Sequence, residues 1–159
     1  MVILCDTRQQ AGKHENIERH FQRSGIKTAR QALYVGDYTI ADDGSRSVDT
    51  KQDVLELAHD IMSEDHDRFK RECERAQDAG IKLLVLVEEV LPEGGLLSWV
   101  SPKDKNGRPR TKVSGQALRA ALCTMRIKYG VRFRFCDPKQ TGRAIVDYLA
   151  EGVLPDARA

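Results

Sequence analysis

The chain has 159 residues, of which 40% are hydrophobic and 31% charged, and its formal net charge is +2. That length suits one domain with a real core, and the apolar run at Lys82–Val87 is far too short to cross a bilayer. Four scattered cysteines with no CxxC pair argue against a disulfide framework or a zinc knuckle and for a reducing, cytoplasmic compartment.

In chain order, Val2 to Cys5 reads as a short buried strand; the opening residues lack the basic leader and cleavage site of a signal peptide. Glu15 to Gln22 has helical spacing through Ile17 and Phe21, and Gly25 is placed to end that helix. Tyr34 to Ile40 alternates apolar and polar residues and predicts a strand. Asp42-Asp43-Gly44-Ser45 predicts a turn, and Ser47 to Lys51 the returning strand of a hairpin. Asp53 to Met62 and Asp67 to Ala79 read as helices; between them lie Ser63 and Asp65, either of which suits an N-cap. Lys82 to Val87 is an apolar run of the kind buried on both faces. Pro92 to Gly115 reads as a long mobile loop, Gln116 to Lys128 as an amphipathic helix, Val131 to Cys136 as a strand and Thr141 to Leu149 as a last helix. The order predicts an α/β sandwich, a mixed central sheet flanked by helices, in one domain over residues 1–152 with a short tail at 153–159.

The chemistry concentrates between Gly36 and Lys51. Residues at i and i+2 of a strand share a face, so the carboxylate of Asp49 and the ammonium of Lys51 should project side by side. Asp37, on the facing strand, would bring a second carboxylate. Two carboxylates with the backbone carbonyl of Thr50 suit Mg²⁺ or Mn²⁺, hard ions that take oxygen ligands. Lys51 can stabilise negative charge developing on a phosphate. Asp6, ending the first strand, could support a second metal, as could Glu15 or Glu18. An Asp-x-Lys triplet by itself usually marks a surface pair; the upstream Gly-Asp on a paired strand is what raises its weight.

These residues resemble the nuclease domain of the XPF/MUS-type structure-specific endonucleases, within the PD-(D/E)xK superfamily. The signature there is Gly-Asp, a variable stretch, then Glu-Arg-Lys, three residues and Asp; here it reads Gly36-Asp37, then Asp49-Thr50-Lys51. Val2 to Arg8, Arg68-Phe69, Glu74-Arg75, Lys82 to Glu88, and Phe133 to Pro138 followed by Thr141 extend the similarity along the chain. The resemblance implies a restriction-endonuclease-like fold and divalent-metal catalysis by Asp6, Asp37, Asp49 and Lys51. It also implies phosphate contacts from Arg8 and Arg68, a homodimer through the C-terminal part, and branched DNA such as flaps, forks or junctions as substrate. Three positions depart from it: Asp49 replaces Glu, Thr50 replaces Arg, and Leu55 stands where the last Asp is expected, with Asp53 and Glu56 nearby. Gln9 also stands where the family often has Glu, and the family's tandem helix-hairpin-helix module is absent from the chain.

Outside the signature, Lys103, Lys105, Arg108, Arg110 and Lys112 make a basic loop suited to DNA phosphates, and Trp99 could stack on an unpaired base. His59 and His66 read as a solvated helix junction, since nothing supplies a third converging ligand. Acids concentrate between Asp42 and Asp67 and bases in the later segments, so one region can hold a cation and another phosphate. The function expected is a metal-dependent DNA endonuclease. The alternatives are a catalytically inactive DNA-binding scaffold and a resolvase-like or restriction-like nuclease.

Overall fold

The computed structural model describes residues 1–10, 12–63 and 66–156. Six strands form one mixed sheet: β1 (Val2–Asp6), β2 (Lys27–Gln31), β3 (Tyr38–Ile40), β4 (Asp43–Lys51), β5 (Lys82–Val87) and β6 (Arg132–Phe135). Their spatial order is β2-β1-β3-β4-β5-β6. β3 runs antiparallel to both neighbours, while β1–β2, β4–β5 and β5–β6 are parallel. Among the described residues five α-helices cover the sheet: α1 (Glu15–Arg23), α2 (Val54–Met62), α3 (His66–Asp78), α4 (Gly115–Tyr129) and α5 (Thr141–Glu151).

The apolar run of β5 explains the layering. Its alternate side chains enter opposite layers, as the period of a strand demands. Leu83, Val85 and Val87 pack with Leu57 and Ile61 of α2, Phe69 and Cys73 of α3 and Leu118 and Leu122 of α4. Leu84 and Leu86 pack on the other face with Ile17 and Phe21 of α1 and Ile145, Tyr148 and Leu149 of α5. β4 obeys the same alternation: Val48 joins the α1/α5 layer.

The fold class is the one expected, with four local differences. β2 has no signal in the sequence, because its five residues, Lys-Thr-Ala-Arg-Gln, are all exposed and carry no apolar alternation; pairing with β1 makes it a strand. The expected strand from Tyr34 is shorter and begins only at Tyr38. The turn expected at Asp42 to Ser45 sits earlier, and Asp43 already pairs with Ile40 across a register shift. The segment from Pro92 to Gly115 holds structure of its own. Gly95–Ser98 is a 3-10 turn, and beyond it Asp104 N–H donates to Arg108 O and Arg110 N–H to Pro102 O. Asp104 Oδ1 accepts from both Asn106 N–H and Arg108 N–H, so one carboxylate closes the tip.

Trp99 does not present its ring to a base. It is buried in the α2/α3/α4 layer, and its indole N–H donates to Glu89 Oε1 at 3.1 Å. Glu89 Oε2 accepts from Val54 N–H at 2.7 Å, which ties the 3-10 turn to the start of α2. Asp65, one of the two N-cap candidates before α3, lies outside the described residues, as do Glu64 and the end of the tail. All four cysteines are free thiols. Among the described residues no helix is long and apolar enough to cross a membrane.

Candidate active site

The C-terminal end of β4 opens on a cavity of about 360 Å³. Asp6, Asp37, Asp49, Thr50 and Lys51 all line it, so the residues expected to meet do meet. Arg8 and Arg68 line it too. Lys103, Lys105, Arg108, Arg110 and Lys112 do not; they are exposed on the folded loop. Glu15 and Glu18 also stay outside it.

Asp37 lies just before β3 rather than within it. Gly36 turns the chain there with φ +70°, in the region that favours glycine. A Cβ on Gly36 would run into Ser47 Oγ and stand 2.9 Å from Val48 O. The bend is held on several sides: Gly36 N–H donates to Glu72 Oε1 at 2.8 Å, Asp37 N–H to Val48 O at 2.7 Å, and Asp6 N–H to Asp37 O at 2.8 Å. Gly36→Ala should therefore cost about 1–3 kcal/mol through overpacking and a strained φ. Urea unfolding would read this as a lower midpoint at unchanged slope; an unchanged midpoint would mean that the bend does not depend on glycine.

Asp37 Oδ2 accepts from both Thr50 N–H, at 2.8 Å, and Thr50 Oγ1–H, at 2.7 Å. Thr50, which replaces the expected arginine, thus orients the first carboxylate. Lys51 O accepts from Glu88 N–H on the β5 side, so the amide and carbonyl of Thr50 face the opposite side, toward Asp37.

Asp49 and Lys51 share the face covered by α2 and α3. Lys51 Nζ stands 2.9 Å from Asp49 Oδ2 and 2.8 Å from Asp60 Oδ2, with the Phe69 ring centroid 5.5 Å away. Burial pushes the Asp49 carboxyl well above its ordinary value; Lys51 opposes that rise, and Asp37 and Glu72 reinforce it. Burial works against the charge on Lys51 as well, but Asp49 and Asp60 outweigh it and hold its pKa above the ordinary value. The pair is a buried one in which Asp49 depends on Lys51, while Lys51 has Asp60 as a second anion.

Asp6 reaches the cavity, but its carboxylate is engaged by Arg8. Arg8 Nε donates to Oδ2 at 2.7 Å, Nη2 lies 2.6 Å from the same oxygen, and Arg8 N–H donates to Oδ1 at 3.2 Å. Burial would raise this carboxyl, yet the Arg8 donors hold it below its ordinary value. Arg8 Nη2 also donates to Leu33 O at 2.8 Å. Asp6 therefore fixes a guanidinium at the cavity wall.

Two acids that the signature did not single out enter the site from helices. Asp60 and Glu72 are carried by α2 and α3, and for Asp60 the signal in the sequence is helical spacing. Asp53, Glu56 and Asp60 fall three and four residues apart along α2 and so on one flank. Of the acids near Leu55, Asp53 caps α2 by accepting from Glu56 N–H, while Glu56 lines the cavity and accepts from Gln52 N–H. Leu55 itself packs against the core.

The donor set suits a magnesium-like ion. Asp37 and Asp49 could supply carboxylate oxygens, and the buried Asp49 Oδ2 has the Lys51 ammonium 2.9 Å away to meet its charge. Among the described residues no group of three or more His, Cys, Asp and Glu side chains is placed to hold a metal. Two carboxylates and a backbone carbonyl leave the rest of an octahedron to water, which is how Mg²⁺ is commonly held.

A family model described as the ERCC4 domain matches residues 5–148. The chain belongs to the ERCC4-domain family. Among solved structures, XPF from Aeropyrum pernix superposes with a TM-score of 0.63 at 21% identity over 94% of this chain and 63% of that one. The same protein in a complex with DNA gives a TM-score of 0.64 at 20% identity over 99% of this chain and 68% of that one. The chain thus spans about 63% of the length of the first of these structures. At such identities the likeness is one of fold. None of the curated proteins compared matches the chain. Within this ERCC4 domain, Gly36-Asp37 and Asp49-Thr50-Lys51 occupy the cavity just described.

Proposed function

We propose that this ERCC4 domain is a divalent-metal-dependent DNA endonuclease acting on flaps, forks or other branched DNA. The observation that carries the reading is the convergence of Asp37, Asp49, Thr50 and Lys51 on one cavity at the end of β4. Asp37, Asp49 and the Thr50 carbonyl would hold Mg²⁺ or Mn²⁺. When bound, the ion supplies Lewis acidity, polarising a phosphate oxygen and acidifying an attacking water. Thr50 keeps the Asp37 carboxylate aimed through two hydrogen bonds. Lys51 presents a fixed positive charge where negative charge grows on the phosphate. Asp6 orients Arg8, and Arg8, Lys13, Arg68 and Arg75 place cations around the same cavity for flanking phosphates. Contacts of that kind position a backbone without reading sequence, as an enzyme that selects shape requires.

The test is a panel of labelled flap, fork, four-way junction and linear duplex DNA incubated with Mg²⁺ or Mn²⁺. Cleavage of branched substrates in preference to duplex is expected; cleavage of the junction alone would instead indicate a resolvase. The altered positions Thr50 and Leu55 favour a second reading, a DNA-binding scaffold without activity. DNA binding without cleavage anywhere in the panel would select it.

The basic loop extends the DNA surface in this reading. Serine at Lys103, Lys105, Arg108 and Arg110 should weaken binding equally across substrates and flatten the dependence of log K on log salt by about 0.9 for each phosphate no longer neutralised. An unchanged slope would take the loop out of the interface. Homodimerisation through the C-terminal part accompanies the same reading. Ile127 of α4, 86% exposed, is the apolar residue best placed for a partner copy.

A further inference from the structure

We propose that Asp60 is a positioning residue that keeps Lys51 in place when Asp49 turns from the lysine to a divalent cation. This rests on the metal-dependent reading above and adds to it a residue outside the signature. As the structure stands, one ammonium serves two carboxylates at nearly equal distance, 2.9 Å to Asp49 and 2.8 Å to Asp60. The two differ in surroundings. The Asp49 side chain is 9% exposed and that of Asp60 26%. Water therefore supports the charge on Asp60, whereas the buried Asp49 needs a cation close by.

A metal ion held by Asp49 brings a second positive charge beside Lys51. With Asp49 as its sole anion, the lysine would either keep that carboxylate and exclude the ion or lose its partner while buried. A buried charge without a partner is strongly destabilising. Asp60 removes the conflict, because Lys51 retains an anion at 2.8 Å when Asp49 turns to the ion. The backbone beneath Asp60 is fixed for the task. Asp53 caps α2, and Leu57, Ala58 and Ile61 bury its inner face. The Phe69 ring closes a further side of the ammonium.

The experiment is a double-mutant cycle read by calorimetric titration of the DNA-free protein with Mn²⁺. Asp60→Asn should weaken Mn²⁺ binding about tenfold, and the loss should shrink to threefold or less when Lys51→Met is already present, since contacting residues couple on this scale. Asp60→Glu, which keeps the charge, should bind within about threefold of the native protein. It also keeps the proposal testable if a Lys51 variant does not fold. An equal loss from Asp60→Asn in both backgrounds would make Asp60 a direct ligand and overturn the proposal. So would no loss at all, or an Asp60→Glu variant as weak as Asp60→Asn. A native protein that binds no Mn²⁺ would overturn the metal-dependent reading and this proposal with it; native binding untouched by Asp60→Asn would overturn this proposal alone.

Discussion

Asp49→Ala should abolish cleavage and leave the protein folded. The reason lies in how charge is shared. Lys51 keeps Asp60 at 2.8 Å, so removing Asp49 strands no ammonium. The carboxylate removed is one whose burial opposes its own ionisation, and its loss relieves desolvation while leaving only a small void. Stability should change by about 1 kcal/mol or less, within the range of an ordinary substitution. Activity should behave otherwise. In the metal-dependent reading Asp49 is the buried carboxylate that would hold the ion, and losing one group that acts mainly on the transition state costs on the order of 10³-fold in rate. Single-turnover cleavage of the best branched substrate, at saturating Mg²⁺, measures this, with thermal melting as the control for folding. A folded Asp49→Ala protein that cleaves within about tenfold of the native rate, a difference of only 1.4 kcal/mol in barrier, would remove Asp49 from the catalytic set.

Lys51→Met should do the opposite to the balance of stability and charge. It removes the cation that Asp49 and Asp60 share and, among the described residues, leaves the buried Asp49 carboxylate without an ion-pair partner. Breaking a buried pair from one side costs about 3–5 kcal/mol, so this variant should be less stable than Asp49→Ala or Gly36→Ala. Its pH dependence carries a definite sign. Burial raises the Asp49 pKa in the folded protein, and the lysine is what opposes the rise, so without Lys51 the folded value climbs further. A group raised on folding favours the folded state fully below its unfolded pKa, and loses that contribution as pH rises through the folded one. Lys51→Met should therefore be less impaired near pH 5 than near pH 8, whereas in the native protein the lysine softens the change. Urea unfolding at the two pH values measures it. Equal destabilisation at both would mean that Asp49 is not the group left uncompensated.

Much of the architecture was legible because it depends on local patterns. The apolar run of β5, the amphipathic spacing of α1, α2 and α4, and the Asp-x-Lys pair on one strand face are periodicities written along the chain. Where periodicity is silent, only the fold reveals the element. β2 has no buried side chain to betray it, and Trp99 looked like a base-stacking residue until Glu89 and the core claimed it.

By itself the sequence settled which chemistry was on offer: two carboxylates and a lysine at strand spacing, in a chain whose elements alternate as an α/β sandwich. The folded chain alone decided who serves whom. The bend at Gly36 takes Asp37 out of β3 and against Thr50, Arg8 claims the carboxylate of Asp6, and Asp60, a helix away from the signature, shares Lys51 with Asp49. The physical reason is what each pattern encodes. Strand and helix periods set which face a side chain takes, whereas charge partners are chosen by burial and by approaches of about 3 Å that those periods do not specify.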